Sequence, residues 1–423
     1  MFIWFLVFGV FVFFFRPTHK WPELDRIPLL DMHTFTAFLL PFWLLIWLTN
    51  PSAKRLRGNI LTLAMLLYTL VIVVSVLASP YTGFFANYWC QAWLRFMVFF
   101  VVLVTSVKTE RDLKIIVTAV SVVFFLEMAH IYLSGYTTTS ASVERLAVET
   151  GRFARVTQLG VGVACMLPLI FPVVTLCKRY WHYLFILGYV LLTVRIVTLT
   201  GTRTALLMLV APAICATLFS RYRFRILPLL LLISLGGWFA LPENMQNRYR
   251  SIWDPTVDQA ATRSAEARIS GFDVGMEDWA AHPVLGTGVV SGPTPGLRDS
   301  ERLVGVGVHS LYAQVPADLG TVGIATFLFL LSCFGINHYS LWRNFKYLQE
   351  KNLGNEGLYC WRVSLASIYG AVMMLIMGFG EANAYYSYWI WFAAFQALAA
   401  MLMQEKVHAA MQGKLLPSLP MRK

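Results

Sequence analysis

Long apolar runs dominate this chain of 423 residues and set the strongest limit on its fold. Hydrophobic residues make up 58% of the sequence, and only 13% of it is charged, whereas a soluble domain usually carries about 25% charged residues. A helix of ~20 apolar residues crosses a bilayer and satisfies its backbone hydrogen bonds internally. The pattern therefore predicts an all-α integral membrane protein.

Twelve apolar runs are predicted as transmembrane helices. They cover residues 1–15, 34–49, 58–78, 87–107, 113–134, 156–177, 181–199, 204–220, 226–242, 309–336, 360–380 and 386–403. We predict three regions: helices 1–9 in residues 1–242, a long loop with short helices in 243–308, and helices 10–12 with a short tail in 309–423. The first run has no basic start and no small-residue cleavage site, which argues against a removable signal peptide.

The basic residues alternate between the two sides of this topology. With the N-terminus inside, the inner loops and tail carry 19 Lys and Arg, and the short outer loops carry 7. Because short cytoplasmic loops are enriched in Lys and Arg, both termini are predicted to be cytoplasmic and the long loop periplasmic. The net charge of +12 mostly reflects this topology, so no nucleic-acid partner is predicted.

The cysteines give no sign of a disulfide framework or of a metal site. All six lie in or at the ends of apolar runs, and none belongs to a C-x-x-C pair. The sequence also contains no H-E-x-x-H, nucleotide-binding loop or internal repeat. We predict no bound metal and no cofactor.

The stretch HSLYAQVPADLGTVG begins at His309 and places an imidazole where the long loop enters an apolar run. On a helix, His309, Pro316, Gly320 and Gly323 fall within about 60° of one another. Such glycines favour close approach of a neighbouring helix, and Pro316 is expected to bend the helix. The pattern predicts a reactive group held at a wet helix end.

The long loop contains a segment with helical spacing of apolar residues. Ile269, Phe272, Met276 and Trp279 form the stripe, and Arg268 flanks it. A helix of this kind is expected to lie along the outer membrane surface, with Arg268 at the boundary between lipid headgroups and protein. Arg268 is either a snorkelling anchor or a ligand for an anion.

Three further arginines lie near or within the apolar runs. Arg203 begins the R-x3-L element at an outer turn, and Arg95 and Arg195 fall inside predicted spans. Intramembrane arginines are costly unless they are paired or line a cavity. We expect Arg95 to pair with Glu127 or Asp318, and Arg195 to lie below the outer turn as a substrate-binding candidate.

Together these groups suit a diphosphate substrate. Arginine binds phosphate oxygens through a planar fork of donors, so Arg203 and Arg268 are expected to hold the diphosphate, with Arg195 assisting. His309 can accept a proton from an incoming hydroxyl, because imidazole ionises near neutral pH. Trp279 is a candidate for stacking on a sugar ring.

These residues resemble a known family, the O-antigen ligases and polymerases of bacterial inner membranes. His309–Ser310–x9–Gly320–x2–Gly323 matches the H-[NSQ]-x9-G-x2-[GTY] pattern of O-antigen ligases, and Arg203 with Leu207 matches their R-x3-L element. The stretch from Arg268 to HPVLGTG at 282–288 resembles the family segment that precedes this histidine. The specific resemblance covers about residues 195–325.

The resemblance implies a metal-independent, GT-C-like glycosyltransferase with its active site facing the periplasm. Such ligases move a glycan from an undecaprenyl-diphosphate carrier to a sugar of the lipid A–core. The implied roles are His309 as base or acceptor-positioning group and Arg203 and Arg268 as diphosphate ligands, with Ser310 at the motif beside them. The implied partners are the lipid-linked donor, the lipid A–core or a growing glycan, and membrane lipids.

Several alternatives remain open at this point. Related polymerases join repeat units, and related protein O-oligosaccharyltransferases usually have a longer C-terminal region. A lipid-linked sugar transporter predicts charges near mid-membrane and broken helices. A metal-dependent glycosyltransferase would use an E-x-D element such as Glu23-Leu24-Asp25, although a lone tripeptide in a charged loop is more often solvated surface.

Overall fold

The structure of the chain is a computed structural model. It describes residues 2–49, 58–79, 81, 88–135, 137–140, 143–146, 156–218, 224, 228, 238–239, 241, 243–251, 253–254, 256–289 and 308–415.

Helices make up nearly all of the described regular structure. They are α1 (Phe2–Phe15), α2 (Met32–Thr49), α3 (Ile60–Ala78), α4 (Tyr88–Ser106), α5 (Glu110–Ser134), α6 (Val156–Val174, with a 3₁₀ turn at Leu167–Leu169), α7 (Tyr180–Thr200), α8 (Arg203–Leu218), α9 (Glu243–Arg250), α10 (Gln259–Ala281), α11 (Leu311–Glu350), α12 (Gly354–Met377) and α13 (Ser387–Met411). Short helical turns occupy Pro17–Lys20, Pro22–Arg26 and Pro28–Leu30.

One small sheet departs from the predicted all-α fold. Strands β1 (Thr137–Ser140) and β2 (Val143–Leu146) pair antiparallel after α5. Their β-branched residues suit an extended backbone better than a helix. The remaining described architecture agrees with the predicted helical membrane protein.

Eight described helices are long and apolar enough to cross a membrane: α2, α3, α4, α5, α6, α7, α11 and α12. Each corresponds to one of the twelve predicted spans. Two further predictions, 1–15 and 204–220, correspond to shorter apolar helices, α1 and α8. The prediction for 386–403 corresponds to helix α13, which is not among the eight. The prediction for 226–242 lies almost entirely outside the described residues.

Polar contacts join the helix ends in two separate groups. At one end they link Ser79 to the Thr287 carbonyl, Lys20 to Glu127, and Arg248 to the Gly201 carbonyl. At the other end they link Lys406 to Glu110, Asn337 to Asn59, and Trp43 to Thr105. Every pair joins ends that the predicted topology places on the same side, so the contacts agree with its alternation.

Helix α13 forms the buried centre of the helical bundle. It packs against α3, α4, α5, α11 and α12. The Trp391 ring lies 5.0 Å from those of Phe14 and Phe99, and the Trp389 ring lies 5.4 Å from Phe327 at a nearly perpendicular angle. Tilted and perpendicular aromatic pairs of this kind stabilise a core beyond their buried area.

The outer faces of the peripheral helices are apolar. Helix α2 exposes Leu45 and Leu48, and helix α3 exposes Leu70 and Leu77, each by more than half of its surface. A soluble protein rarely exposes so much contiguous apolar surface, whereas lipid tails cover it in a membrane. This surface explains why the hydropathy pattern located these helices without information about their packing.

The predicted ion pair between Arg95 and an intramembrane carboxylate is wrong. Glu127 pairs with Lys20 instead, because α1 packs along α5 and carries the turn that contains Lys20 to the end of that helix. Asp318 accepts a hydrogen bond from the Tyr385 hydroxyl (3.0 Å). The Arg95 guanidinium instead donates a hydrogen bond to Gln91 Oε1 (3.1 Å), one helical turn earlier on α4.

Helix α11 is interrupted at Gly320, where φ is 62° and ψ is −161°. The segment 283–288 lies against this break. Four backbone hydrogen bonds link the two segments: Thr321 N to Pro283 O (2.8 Å), Val322 N to Val284 O (3.2 Å), Thr287 N to Ala317 O (2.9 Å) and Gly288 N to Asp318 O (3.0 Å). The loop therefore satisfies the backbone groups that the break removes from the helical ladder.

Both motif glycines serve this break, which corrects the prediction that they admit a neighbouring helix. A Cβ at Gly320 would overlap the Val284 carbonyl and lie 2.7 Å from Gly286 N. A Cβ at Gly323 would overlap the Leu319 side chain of the same chain segment. The closest neighbours of these glycines are therefore a loop and the preceding turn.

The non-helical backbone in α11 lies at Gly320, and the bend predicted at Pro316 stays a prediction. Proline removes one backbone donor but keeps a helical φ, whereas the backbone at Gly320 has a conformation that side chains disfavour. Ser75 reinforces this region from α3, since its hydroxyl lies 2.6 Å from the Asp318 carbonyl.

Candidate functional site

The turn at residues 378–383, between α12 and α13, receives the start of α11. Leu311 N donates to the Gly378 carbonyl (2.8 Å), and the Ser310 hydroxyl donates to the same oxygen (3.1 Å). Ser310 is also the N-cap of α11, because its side chain accepts a hydrogen bond from Tyr312 N. These bonds fix the backbone beside His309, whose side chain is half-buried at the head of the helix.

The same turn also packs against the start of α8. A Cβ at Gly380 would lie 2.6 Å from the Thr204 hydroxyl, so the turn and the first residues of α8 are in close contact. Arg203 is the first residue of α8. The turn therefore lies between the segment that carries His309 and the segment that carries Arg203.

Helix α10 carries Arg268 on its protein-facing side. Gly271 and Gly275 are buried on this face, and a Cβ at Gly275 would lie 2.9 Å from Cβ of Ala313 in α11. Arg268 is three residues before Gly271, so it shares that face of the helix. The sequence prediction placed Arg268 at the headgroup boundary, whereas the structure turns it toward α11 and the turn.

The predicted apolar stripe of α10 is confirmed as one face of a helix. Ile269 is 65% exposed and Phe272 is 39% exposed, which leaves apolar surface next to the face with the buried glycines. Trp279 is half-buried, and its indole nitrogen lies 3.3 Å from the Thr321 hydroxyl on α11. Sugar stacking by Trp279 stays a prediction, and the observed bond shows how α10 is attached beside the break in α11.

Three guanidinium groups act on one another at this end of the bundle. Burial lowers the pKa of the Arg203 guanidinium below its usual value, the charges of Arg268 and Arg248 lower it further, and Asp258 raises it. Burial lowers the pKa of the Arg268 guanidinium below its usual value, the carboxylate of Glu381 raises it, and Arg248 lowers it further. Arginine stays protonated in proteins, so the cluster retains its positive charge.

Local bonds hold two of these arginines in place. Arg248 Nε donates to the Gly201 carbonyl (2.9 Å), and its Nη1 lies 3.4 Å from Asp258 Oδ2. Arg203 Nη1 lies 3.4 Å from the Ser251 hydroxyl. The turn before α8 and the chain after α9 are thus joined by the arginines themselves.

A buried carboxylate completes the site on the side of the turn. Glu381 is only 8% exposed, and Oε1 accepts a hydrogen bond from the Tyr386 hydroxyl (3.2 Å). That hydroxyl accepts in turn from Gln158 Nε2 (3.0 Å) on α6. The Tyr386 ring stacks on Trp89 with a centroid distance of 6.2 Å.

The sequence analysis did not single out Arg248, Asp258 or Glu381 as site residues. The one available signal for Glu381 was an acidic residue directly after a predicted span, in the sequence GFGEANAYY. A carboxylate at a membrane boundary has many uses, so that signal did not specify a partner. The contact between distant segments is what distinguishes this glutamate.

Two predicted groups lie apart from the described bonds of this site. Arg195 is exposed on α7, five residues before the end of that helix. Glu23 and Asp25 are exposed in the 3₁₀ turn Pro22–Arg26. Within the described ranges, no group of three or more His, Cys, Asp or Glu residues has the arrangement to hold a metal ion.

A family model described as O-antigen ligase matches residues 187–328. The match contains Arg203, Arg268 and His309, and it confirms the resemblance of this region to the O-antigen ligase and polymerase superfamily. No curated protein matches the chain. The apolar helices indicate a multi-pass membrane protein, and residues 187–328 of it are similar to the O-antigen ligase family.

Proposed function

We propose that this membrane protein with an O-antigen ligase domain transfers a glycan from an undecaprenyl-diphosphate carrier to a sugar hydroxyl. The acceptor in this proposal is the lipid A–core, and the reaction takes place at the periplasmic face of the bacterial inner membrane. The observation that carries the proposal is that Arg203 and Arg248 both contact Ser251, while the turn that anchors the His309 segment packs against Thr204, next to Arg203.

The arginines are suited to hold the diphosphate and its developing charge. Arg203 and Arg268 offer planar donor forks, and Arg248 adds positive charge behind them. When the bond between the sugar and the phosphate oxygen breaks, negative charge grows on the leaving diphosphate. Fixed guanidinium groups stabilise this charge without reorganisation during the reaction, which is the main requirement of the step.

His309 is suited to activate the acceptor. A neutral imidazole accepts the proton of the acceptor hydroxyl while that oxygen forms its bond to the anomeric carbon of the glycan. The carrier then leaves as undecaprenyl diphosphate, and the proton remains on the imidazole until it passes to water. Ser310 supports this role by holding the backbone next to His309 on the Gly378 carbonyl.

The direction of the bundle supports a periplasmic site. Arg203, Arg268 and His309 all lie at the end of the bundle that the basic residues predict to be outside. The exposed apolar face of α10 is suited to contact lipid at the same level. A carrier whose tail stays in the membrane would therefore present its diphosphate at the height of the arginines.

A polymerase is the nearest alternative within the same superfamily. It would use the same donor site and would differ in the acceptor, which is a growing lipid-linked glycan in place of the lipid A–core. Polysaccharide analysis of cells that lack the gene separates the two proposals. Loss of glycan from the lipid A–core with retained long lipid-linked chains supports a ligase, whereas loss of the long chains supports a polymerase.

A transporter is a weaker alternative, even though α11 is a broken helix. Transporter sites use the groups freed at such breaks to bind substrates and ions. Here the segment 283–288 binds the freed groups, and Glu127 and Asp318 are engaged by Lys20 and Tyr385. This arrangement favours a structural role for the break.

Replacement of His309 tests the proposal most directly. In reconstituted membranes with an undecaprenyl-diphosphate-linked glycan and lipid A–core, we expect His309→Ala to reduce transfer by roughly 10²–10⁴-fold, which is the usual contribution of a general base. Binding of undecaprenyl diphosphate should persist, because the arginines supply it. Wild-type transfer should fall in acid, since protonated imidazole cannot accept a proton.

His309→Gln provides the discriminating variant, because glutamine keeps hydrogen bonding but is no base near neutral pH. Near-normal turnover of this variant would remove the catalytic role of His309. His408→Gln is a matched control, because His408 is exposed near the end of α13 on the other side of the bundle, and it should retain transfer.

A further inference from the structure

We propose that Arg16 and Arg95 bind the phosphate group of an anionic lipid at the outer surface of the membrane. These arginines belong to α1 and α4, whereas Arg203 and Arg268 belong to α8 and α10, so the two sites use different helices. The proposal does not depend on the proposed function, although one of the two lipids tested below is the lipid part of the proposed acceptor.

Helices α1, α2 and α4 pack around one aromatic cluster. The Phe13 ring of α1 lies 6.2 Å from the Phe35 ring of α2 and 4.8 Å from the Phe99 ring of α4. One turn earlier on α1, a Cβ at Gly9 would lie 2.8 Å from Phe35 and 2.9 Å from Phe99. The three helices are therefore in close contact, and their rings form an apolar floor for the residues one turn further out.

Both arginines lie one helical turn beyond this floor. Arg16 follows Phe13 by three residues, and its Nη2 atom lies 4.0 Å from Met32 Sδ at the start of α2. Arg95 precedes Phe99 by four residues, which is the outer direction because α4 is predicted to run inward. The two side chains thus start at the same level of the bundle.

Arg95 also faces the junction of α1 with α2. Phe99 marks the face of α4 that contacts α1, and Thr105 marks the face that contacts α2, since its hydroxyl accepts from Trp43 Nε1 (3.0 Å). At about 100° per residue, Arg95 lies between these faces, about 40° from Phe99 and about 80° from Thr105. Arg16 contacts the first turn of α2, so both guanidinium groups lie at this junction.

The Arg95 guanidinium has a donor that the described protein does not use. Its Nη2 atom donates to Gln91 Oε1, whereas its Nη1 atom is buried without a hydrogen-bond partner among the described residues. A buried guanidinium at membrane depth is costly unless an acceptor or an opposite charge compensates for the lost water. The geometry at Arg95 therefore calls for an anion.

The backbone of Arg16 is held in an unfavourable conformation. Its φ is 46° and its ψ is 64°, in the left-handed region that residues other than glycine rarely adopt. Such a conformation persists where the surroundings fix it, and it is often found at ligand sites. Here it ends α1 and directs the chain into the turn Pro17–Lys20 at the level of Arg95.

A lipid phosphate has the chemistry that this junction accepts. Two guanidinium groups offer planar forks of donors to phosphate oxygens. Phe38 and Phe42 of α2 are exposed further into the membrane, where acyl chains would contact them. The Asp31 carboxylate is engaged in capping α2, since its Oδ1 accepts from the backbone N (2.9 Å) and the hydroxyl (3.1 Å) of Thr34.

Two kinds of lipid present such a phosphate at the membrane surface. One is an anionic phospholipid that stays bound to the protein, and the other is the phosphorylated lipid A of the proposed acceptor. The binding chemistry is the same for both, so the test compares the two lipids directly.

The test uses the full chain in a neutral detergent and counts bound lipids by native mass spectrometry, with the melting temperature as a second readout. We expect phosphatidylglycerol or lipid A to bind more tightly than phosphatidylcholine and to raise the melting temperature. Arg95→Gln and Arg16→Asn should each weaken this binding at least about tenfold, because each removes charged hydrogen bonds to phosphate. Asparagine suits Arg16 because it tolerates a left-handed backbone.

Two control variants separate this site from other cations. Arg26 is exposed in the turn Pro22–Arg26 at the same end of the bundle, so Arg26→Gln removes an equal charge and should bind as wild type. Arg203→Gln should also leave the binding of these lipids unchanged. Arg95→Lys should keep part of the affinity, since it retains the charge and loses the fork.

The outcomes identify the lipid or overturn the site. Tighter binding of lipid A than of phosphatidylglycerol, lost with dephosphorylated lipid A, assigns the site to the acceptor lipid, and equal binding of both assigns it to a resident phospholipid. Wild-type protein that binds neither more tightly than phosphatidylcholine overturns the proposal. Arg95→Gln and Arg16→Asn that bind no more weakly than Arg26→Gln also overturn it, and Arg16→Asn decides alone if Arg95→Gln does not fold.

Discussion

At the scale of single residues, the type of cation in the site matters more than its charge. Arg203 lies within reach of the Ser251 hydroxyl, and Arg268 is half-buried on the face of α10 that also buries Gly271 and Gly275. Neither position is that of a surface anchor, whose head remains in water. The guanidinium geometry is therefore the feature to test.

We expect Arg203→Lys and Arg268→Lys each to reduce glycan transfer at least about tenfold, because lysine provides a point charge in place of a two-pronged donor. Transfer measured in membranes with matched protein levels checks this expectation. Arg263→Lys is the control, since Arg263 is exposed on the same helix as Arg268. If Arg203→Lys or Arg268→Lys kept wild-type activity, that arginine would be a membrane-surface anchor and not a diphosphate ligand.

At the scale of elements, the break in α11 is the feature that organises the outer end of the bundle. The α11 backbone both before and after Gly320 is hydrogen-bonded to the segment 283–288. Trp279 attaches α10 next to this point through Thr321. Because α10 carries Arg268, a change in the break would move one wall of the site.

Gly320→Ala tests this element. The added Cβ would overlap the Val284 carbonyl in a backbone conformation that disfavours side chains, so we expect a loss of about 2–4 kcal/mol in stability. Thermal unfolding in detergent measures the effect as a lower melting temperature. Gly335→Ala on the same helix is the control, because its Cβ meets nothing within 4 Å and alanine favours helix. Equal melting temperatures for the two variants would contradict the assigned role of Gly320.

At the scale of the whole molecule, the two groups of end contacts divide the bundle into a side with the arginine cluster and a side with the Lys406–Glu110 pair. The basic residues predict that the second side is cytoplasmic. This orientation decides whether the candidate site faces the periplasm.

Cysteine labelling tests the orientation. In a cysteine-free background, we expect an impermeant maleimide to label Thr256→Cys in right-side-out vesicles and to label Lys351→Cys only after lysis. Both positions are exposed. The reverse labelling pattern would place the site in the cytoplasm and contradict the proposed function.

The sequence alone located most of the helices and predicted the three proposed site residues. Lipid imposes a fixed length and an apolar surface on a spanning helix, so hydropathy reports each span without knowledge of its neighbours. The stripe of Ile269 and Phe272 predicted α10 for a similar reason, because its period belongs to one helix. Arg203, Arg268 and His309 were predicted from local motifs, and all three lie within the matched residues 187–328.

Only the tertiary structure decided which distant groups meet. Glu127 binds Lys20 and not Arg95, and the Tyr386 hydroxyl joins the Glu381 carboxylate to Gln158, which is more than two hundred residues away in the sequence. The role of Gly320 also could not be predicted from the sequence, because it depends on the packing of the segment 283–288 against α11. Such contacts depend on how the helices pack. The spacing of residues along one segment does not show which other segment lies against it.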